Sequence, residues 1–437
     1  MALYRTLPAS GDPRRKAIVG KRILQIIQRY PPALGGSEAY FQRLSKYLSA
    51  QGHQVTVWTT NGLDLESFWS RKGQVLPAGQ EIDQGVEVRR FPLCRFPWQR
   101  WILRVLSRIP LRPWQCKTFG HNPISRELWN HANQAGGFDL VHAGCFPYAF
   151  PILAGQNLAR RLAIPFLLTP FLHLGNLADP GNQVRRGYTH PALAWLARRA
   201  DAVFSQTAME SRALVEMGLS EEKVFQQGMG VQVQECTGGD RLAYRKHWGI
   251  GKEEVVVGHL ANLSWDKGST DLLQAAELLW KKGSAFRLIL AGPRMPSFSR
   301  ELEKSLFKNQ VILPGVLTEK EKRDFFASLD LFALPSRSDS FGIVLLEAWA
   351  NGIPCVVYNA GGPGSLVQHQ SDGLVAPCDR VEELGQAIQC LVQDSHQRKQ
   401  MGEAGKARAL TDFSWGNKLQ LVEQVMEDLL RQKRNNR

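Results

Sequence analysis

Ala333-Leu-Pro-Ser-Arg-Ser-Asp339-Ser-Phe-Gly342-Ile-Val-Leu-Leu-Glu347-Ala-Trp-Ala-Asn-Gly352-Ile-Pro-Cys355-Val-Val357 is the stretch that decides the fold. It opens on a short apolar run, passes through a polar loop, becomes a helix near Phe341, stops at a glycine and a proline, and ends on a second apolar run. Strand, loop, helix, strand is the building unit of a parallel sheet covered by helices. Asp339 falls on the loop and Glu347 on the helix, with seven residues between them. Free backbone N–H groups at Ser340, Phe341 and Gly342, with the helix dipole behind them, would make an anion site. Gly342 would let a phosphate approach the main chain. A carboxylate such as Glu347 can accept two hydrogen bonds from neighbouring ribose hydroxyls.

The same rhythm runs outward in both directions. Toward the N-terminus of this half, Val255–Leu260, Arg287–Ala291, Val311–Leu313 and Leu331–Leu334 read as strands separated by helices. An earlier series begins at Arg22-Ile-Leu-Gln-Ile-Ile, followed by a helix at 37–50 and strands at His53–Thr60, Val86–Phe91, 139–142, Ile164–Thr169 and Ala202–Ser205. Glycine and polar residues around 228–239 interrupt the pattern, so the boundary between the two halves is placed there. Two doubly wound halves would bind ligands at the carboxyl ends of their strands. A chain of 437 residues is also longer than one core usually organises.

The segment 333–357 resembles the retaining GT-B glycosyltransferases of family 4, whose hallmark is an acid-x7-acid motif around Phe-Gly and Leu-Glu-Ala. The resemblance implies α/β architecture, with two doubly wound parallel-sheet (Rossmann-like) domains facing across a cleft. It implies that Glu347 binds the donor ribose and that Asp339, with Ser340, Phe341 and Gly342, holds the transferred sugar and the phosphates. The first acid of the family is more often Glu, so Asp339 reaches less far. Asn262-Leu-Ser-Trp-Asp-Lys267-Gly268 resembles the family's diphosphate loop, with Lys267 against the phosphates and Asn262 where an Arg is common. Pro31-Pro-Ala-Leu-Gly35-Gly36-Ser-Glu38 resembles its glycine loop, and Thr169-Pro-Phe-Leu-His173 its Thr-x-His element. His173 is therefore favoured over His142, the other histidine after a strand, for contact with the sugar. Gly361-Gly-Pro-Gly-Ser365 reads equally as a ligand contact or as a connecting loop.

Net charge +14 implies an anionic partner. No zinc-finger spacing, aromatic RNA-binding signature or long Lys/Arg run supports nucleic acid. No His/Cys/Asp/Glu cluster has metal-ligand spacing, and the resembled family needs no metal. Seven scattered cysteines, with no CxxC, read as reduced thiols of a cytoplasmic protein. The first residues lack the long apolar run of a secretory signal, and the richest apolar stretch, 162–174, is broken by two prolines. Between Arg89 and Arg126 there are nine Arg/Lys and no acid, with Trp98, Trp101, Ile102, Val105, Leu106 and Ile109 at helical spacing. That composition suits either an anionic membrane surface or a helix packed on its own domain.

The sequence expectation is therefore a retaining, metal-independent, cofactor-free transferase. It would move a hexose-type sugar from a nucleotide-sugar donor (UDP- or GDP-sugar) to a carbohydrate or lipid-linked acceptor, as in polysaccharide or glycolipid synthesis. Alternatives are a nucleotide-sugar epimerase or sugar phosphorylase on the same fold, or a non-catalytic carbohydrate- or membrane-binding relative. The expected organisation is a tail at 1–20, an acceptor-side domain at 21–235, a donor-side domain at 236–412, and a helix at 413–437 returning to the first domain.

Overall fold

A computed structural model of the chain describes residues 20–176, 178–179 and 182–435. The expected tail lies outside the described residues except for Gly20. The chain forms two compact units, each built on one sheet.

The first unit holds β1 Arg22–Ile26, β2 Gln54–Thr60, β3 Gly79–Asp83, β4 Val86–Phe91, β5 Leu140–Ala143, β6 Phe166–Leu168, β7 Ala202–Ser205 and β8 Val224–Gln226. They lie in the order β3-β4-β2-β1-β5-β6-β7-β8, with β3 antiparallel at one edge and every other pairing parallel. Strands β5 to β7 are buried along their whole length, as a sheet with both faces covered demands. β3 is polar and exposed, which an edge strand tolerates and which hides it from an apolar-pattern reading.

The second unit holds β9 Val256–Leu260, β10 Arg287–Ala291, β11 Val311–Gly315, β12 Leu331–Leu334, β13 Cys355–Tyr358 and β14 Gly373–Ala376. Their order is β11-β10-β9-β12-β13-β14, all parallel. The strand order reverses between β9 and β12, which pair through Val257 with Leu331 and Gly258 with Phe332. Crevices at the carboxyl ends of such a reversal are where α/β sheets bind ligands. The loops leaving these two strands carry Lys267 and Asp339.

The units do not follow a single cut at 235/236. The described residues of 173–185 group with 228–418, and the described residues from Leu419 onward group with the first unit. Hydrogen bonds explain the grouping. Gly361 N–H donates to Gly175 O, Val231 N–H to Phe413 O, and Asn351 Nδ2 to Cys236 O, all inside the second unit. Within the first unit Tyr47 Oη donates to Glu423 at 2.7 Å and Lys433 Nζ to Ala163 O at 3.2 Å.

The basic, Trp-containing segment is not one helix over 98–109. A helix runs Gln99–Leu106 and a second, separate one runs Arg112–Thr118. Pro110 lies between them; it has no N–H to donate and biases the residue before it away from helical geometry. Gln99 and Leu103 are buried, whereas Trp98 is 80% exposed, Trp101 65% and Leu111 62%.

Candidate functional site

The second unit gathers the residues that the strand reversal predicts should meet. Lys267 Nζ lies 2.8 Å from Asp339 Oδ2, both side chains about one-fifth exposed, at 23% and 22%. Burial alone would raise the Asp339 carboxyl; the Lys267 ammonium, nearby His173, and hydrogen bonds from Lys267 and the Ser340 N–H hold it below the usual carboxylate range. His173 belongs to this unit and hydrogen-bonds the Ser338 backbone. Burial lowers its pKa, with Asp339 and Lys267 acting in opposite directions, so the ring is neutral at pH 7. A neutral imidazole can both donate and accept.

The helix bearing Glu347 begins at Ile343, later than the sequence suggested, because Gly342 adopts φ +88 as its N-cap. The amides heading it are therefore those of Ile343 and Val344, while Ser340 and Phe341 precede it and the Ser340 amide is committed to Asp339. Glu347 projects from this helix to Lys322 Nζ at 3.0 Å, and Lys322 also reaches Glu319 at 3.2 Å. Burial raises the Glu347 carboxyl, and Lys322 opposes that rise. Asn262 is exposed at the head of the Lys267 loop.

Three residues that pattern reading passed over hold these loops. Arg337 donates through Nε to Asp379 at 2.6 Å, through Nη2 to Asp271, and through Nη1 to Trp265 O, with its guanidinium 4.1 Å from the Trp265 ring centroid. Its own N–H donates to Asp266 O at 2.9 Å, so one residue fastens the Lys267 loop to the Asp339 loop. Asp271 also accepts from Tyr358 Oη at 2.8 Å. His259, its pKa lowered to about 4 by burial, bonds Ala333 O through Nδ1 at 2.8 Å and Ser269 Oγ through Nε2 at 2.9 Å. A neutral ring donating from Nδ1 and accepting at Nε2 satisfies both. Arg337 stood inside the diagnostic stretch and could have been asked for a partner; the other two carry no sequence signal.

Glycines set the spacing. A Cβ on Gly268, at φ +72, would fall on the Pro335 carbonyl oxygen. Gly362 N–H donates to Asp339 O at 2.7 Å, and a Cβ there would collide with the Ser340 carbonyl. The run Gly361–Ser365 is not a connecting loop but lies in the short helix Gly361–Leu366, whose first two glycines pack against the backbone of Asp339 and Ser340.

In the first unit Gly35 is the N-cap of the helix Gly36–Ala50, in extended backbone. A Cβ on Gly35 would strike the Glu38 carboxylate. Glu38 is itself held by Arg29 at 2.7 Å, Ser37 Oγ at 2.8 Å and Gln28 Nε2 at 3.2 Å. His142 is fully buried between Phe41 and Phe204, bonded to Thr169 Oγ1 at 2.8 Å, with its pKa lowered to about 3 by burial. It is a core histidine, unavailable to a ligand. Glu210, raised to about 8 by burial, accepts from Leu172 N and Gln206 N and so fixes the chain that leads into His173. Among the described residues no group of three or more His, Cys, Asp or Glu is placed to hold a metal ion, and no helix is long and apolar enough to cross a membrane.

Residues 240–408 match the family described as glycosyl transferases group 1, and residues 35–227 match the glycosyl transferase 4-like domain. A D-inositol 3-phosphate glycosyltransferase of Nocardia farcinica is 30% identical over 424 residues, covering 93% of this chain and 87% of the relative. The chain belongs to the group 1 glycosyl transferases. As a structure, this glycosyltransferase is similar to the sucrose-phosphate synthase of Thermosynechococcus elongatus, with TM-score 0.72 at 19% identity, covering 94% and 99% of the two chains. Anabaena HepE in complex with UDP-glucose gives TM-score 0.68 at 19% identity, with 94% and 99% covered. These likenesses establish GT-B architecture, two parallel-sheet α/β domains.

Proposed function

We propose that this glycosyltransferase is a retaining enzyme that takes a hexose-type sugar from a UDP- or GDP-linked donor, without a metal ion, and passes it to a carbohydrate or lipid-linked acceptor. The observation that carries the reading is the Lys267 ammonium, 2.8 Å from Asp339 and so tethered beside the loop that heads the Glu347 helix. Bond cleavage puts negative charge on the departing diphosphate. A preorganised ammonium and helix amides can stabilise that charge where it develops. Asp339, paired with Lys267, reads as a group that holds the sugar, not as a nucleophile. Neutral His173 can bond a sugar hydroxyl, and Glu347 can take the ribose. Gly35 and Gly36, with no side chain, leave their backbone open to a ligand in the first unit. A relative crystallised with UDP-glucose supports the donor class.

The test is incubation with UDP-, GDP- and ADP-sugars in EDTA, measuring nucleoside diphosphate release and the product's anomeric configuration by NMR. Release with retention and no loss to EDTA is expected. Interconversion of donors without release would point to an epimerase, sugar 1-phosphate formation to a phosphorylase, and no donor binding to a non-catalytic relative.

A lipid-linked acceptor is favoured by one surface of the first unit. Trp98, Trp101 and Leu111 stand in water beside exposed Arg104 and Arg108, in a segment without acids. Exposed apolar side chains rimmed by cations suit an anionic bilayer. Replacing Trp98 and Trp101 with Ser should abolish flotation with phosphatidylglycerol vesicles and leave activity on soluble acceptors intact; unchanged flotation removes this part.

A further inference from the structure

Lys322 is a charged side chain placed where chain packing calls for none. It sits one turn into the helix Glu319–Ser328, which follows directly on β11. That helix starts from a full capping box: Thr318 Oγ1 accepts from the Glu321 N–H at 3.3 Å, and Glu321 Oε2 accepts from the Thr318 N–H at 2.8 Å. A capped first turn fixes the direction in which Lys322 leaves the helix. It leaves toward a different helix, where its ammonium meets Glu347 Oε1 at 3.0 Å. The lysine and glutamate side chains are 21% and 13% exposed, sheltered but reachable.

Partly desolvated ion pairs are poor stabilisers, since the loss of hydration offsets most of the attraction. The geometry does something an apolar pair cannot. One carboxylate oxygen of Glu347 is occupied; the other, Oε2, takes no hydrogen bond from any described residue. A carboxylate pinned at one oxygen presents the second in a fixed direction. The lysine, with two of its three donors spent on Glu347 and Glu319, keeps one more.

We propose that Lys322 is a positioning residue for donor binding: it fixes Glu347 so that one carboxylate oxygen faces the ribose hydroxyls of a nucleoside diphosphate. This rests on the donor-binding reading above. The charged and titratable groups facing Glu347 are Lys322, Glu319, Glu235 and the Cys236 thiol. Burial and the nearby Glu347 charge push that thiol up to about 12, so it stays neutral, and Lys322 is the single cation of the set. Without it, burial and two neighbouring acids drive the Glu347 carboxyl further upward, away from the charged form.

The experiment compares wild type, Lys322→Met and Lys322→Arg by calorimetric titration with UDP, GDP and their 2′,3′-dideoxy analogues. Lys322→Met should weaken binding of the ribonucleotide about tenfold and that of the dideoxy analogue less than about twofold. Its deficit relative to wild type should shrink as pH rises, because Glu347 regains its charge. Lys322→Arg should recover most of the affinity. Equal losses for ribo- and dideoxynucleotides, or no loss, overturn the proposal. Should Lys322→Met not fold, Lys322→Gln, which keeps a polar head without the charge, is held to the same ratio. Wild type binding neither nucleotide would sink the donor reading itself; wild type binding with Lys322→Met unaffected sinks the lysine's role alone.

Discussion

Replacing Lys267 with Ala separates what the Lys267–Asp339 pair does for the fold from what it does for the reaction. The two atoms are 2.8 Å apart and each side chain is roughly one-fifth exposed. A pair so placed is worth no more than about 1 kcal/mol to stability. Asp339 keeps the Ser340 N–H and its proximity to His173, so melting should fall by only a few degrees, about 2–4 °C. On the proposed reading, the same ammonium would face a departing diphosphate and act on charge that appears only in the transition state. Loss of one such preorganised group costs about 3–4 kcal/mol, or about 10²–10³ in kcat. Steady-state nucleoside diphosphate release at saturating donor, read beside a melting curve, tests the disproportion. A kcat loss below about tenfold, or a loss confined to KM, would refute leaving-group stabilisation. The stability difference has its own signature. The folded pKa of Asp339 is depressed, so the pair's contribution is present above the unfolded carboxyl value and lost as pH falls through the folded one. Wild type and Lys267→Ala should therefore converge in stability only below the ordinary carboxylate range.

Arg337→Ala strips the one guanidinium that buried Asp271 and exposed Asp379 share and unfastens two loops at once; it should cost about 3–5 kcal/mol and lower the melting temperature by about 10 °C, measured by calorimetry. Glu347→Gln should weaken nucleoside diphosphate binding by about 1–3 kcal/mol while kcat at saturating donor holds, read by calorimetric titration and steady-state kinetics. His142 is buried with a pKa of about 3, so the unfolded chain binds its proton below about pH 6.5 and the folded chain does not. Wild-type stability should thus fall as pH drops from about 6.5 toward 4, by up to about 1.4 kcal/mol per pH unit from this ring, and His142→Leu should flatten that slope in urea titrations.

How much of this could be read in advance depends on where each residue's partner lies. Strands such as Leu331–Leu334 and Cys355–Tyr358 announce themselves because both faces are buried and every residue is apolar. Gly79–Asp83 does not, since an edge strand carries polar residues without penalty. Lys267 and Asp339 are 72 positions apart, yet each follows a strand, and the strand order makes their loops neighbours. Lys322 reaching Glu347 and Arg337 reaching Asp271 obey no period; they depend on how helices and loops pack once the sheet exists. His142 lies within β5 and His173 follows β6, so both stand beside apolar strand sequence. What separates them is enclosure, by Phe41 and Phe204 around one and by the Ser338 backbone and charged neighbours around the other.

The position of the Lys267 ammonium is fixed by main chain more than by side chains. Gly268 lets its turn rest on the Pro335 carbonyl, and Gly362, near the start of the short helix Gly361–Leu366, lets that helix bond Asp339 O through its N–H. Arg337 then locks the Lys267 and Asp339 loops through a carbonyl, two carboxylates and a ring. Backbone contacts of this kind fix where the Lys267 side chain starts, and Asp339, 2.8 Å from its ammonium, fixes where it ends. Electrostatic stabilisation is effective when the charge needs no reorganisation at the moment of reaction. A lysine would be a poor choice for that on a mobile loop, because its four-carbon stem carries rotamer entropy. Here the stem is anchored at a glycine turn and its head is held by a carboxylate, which supplies the fixed geometry that the flexible side chain lacks.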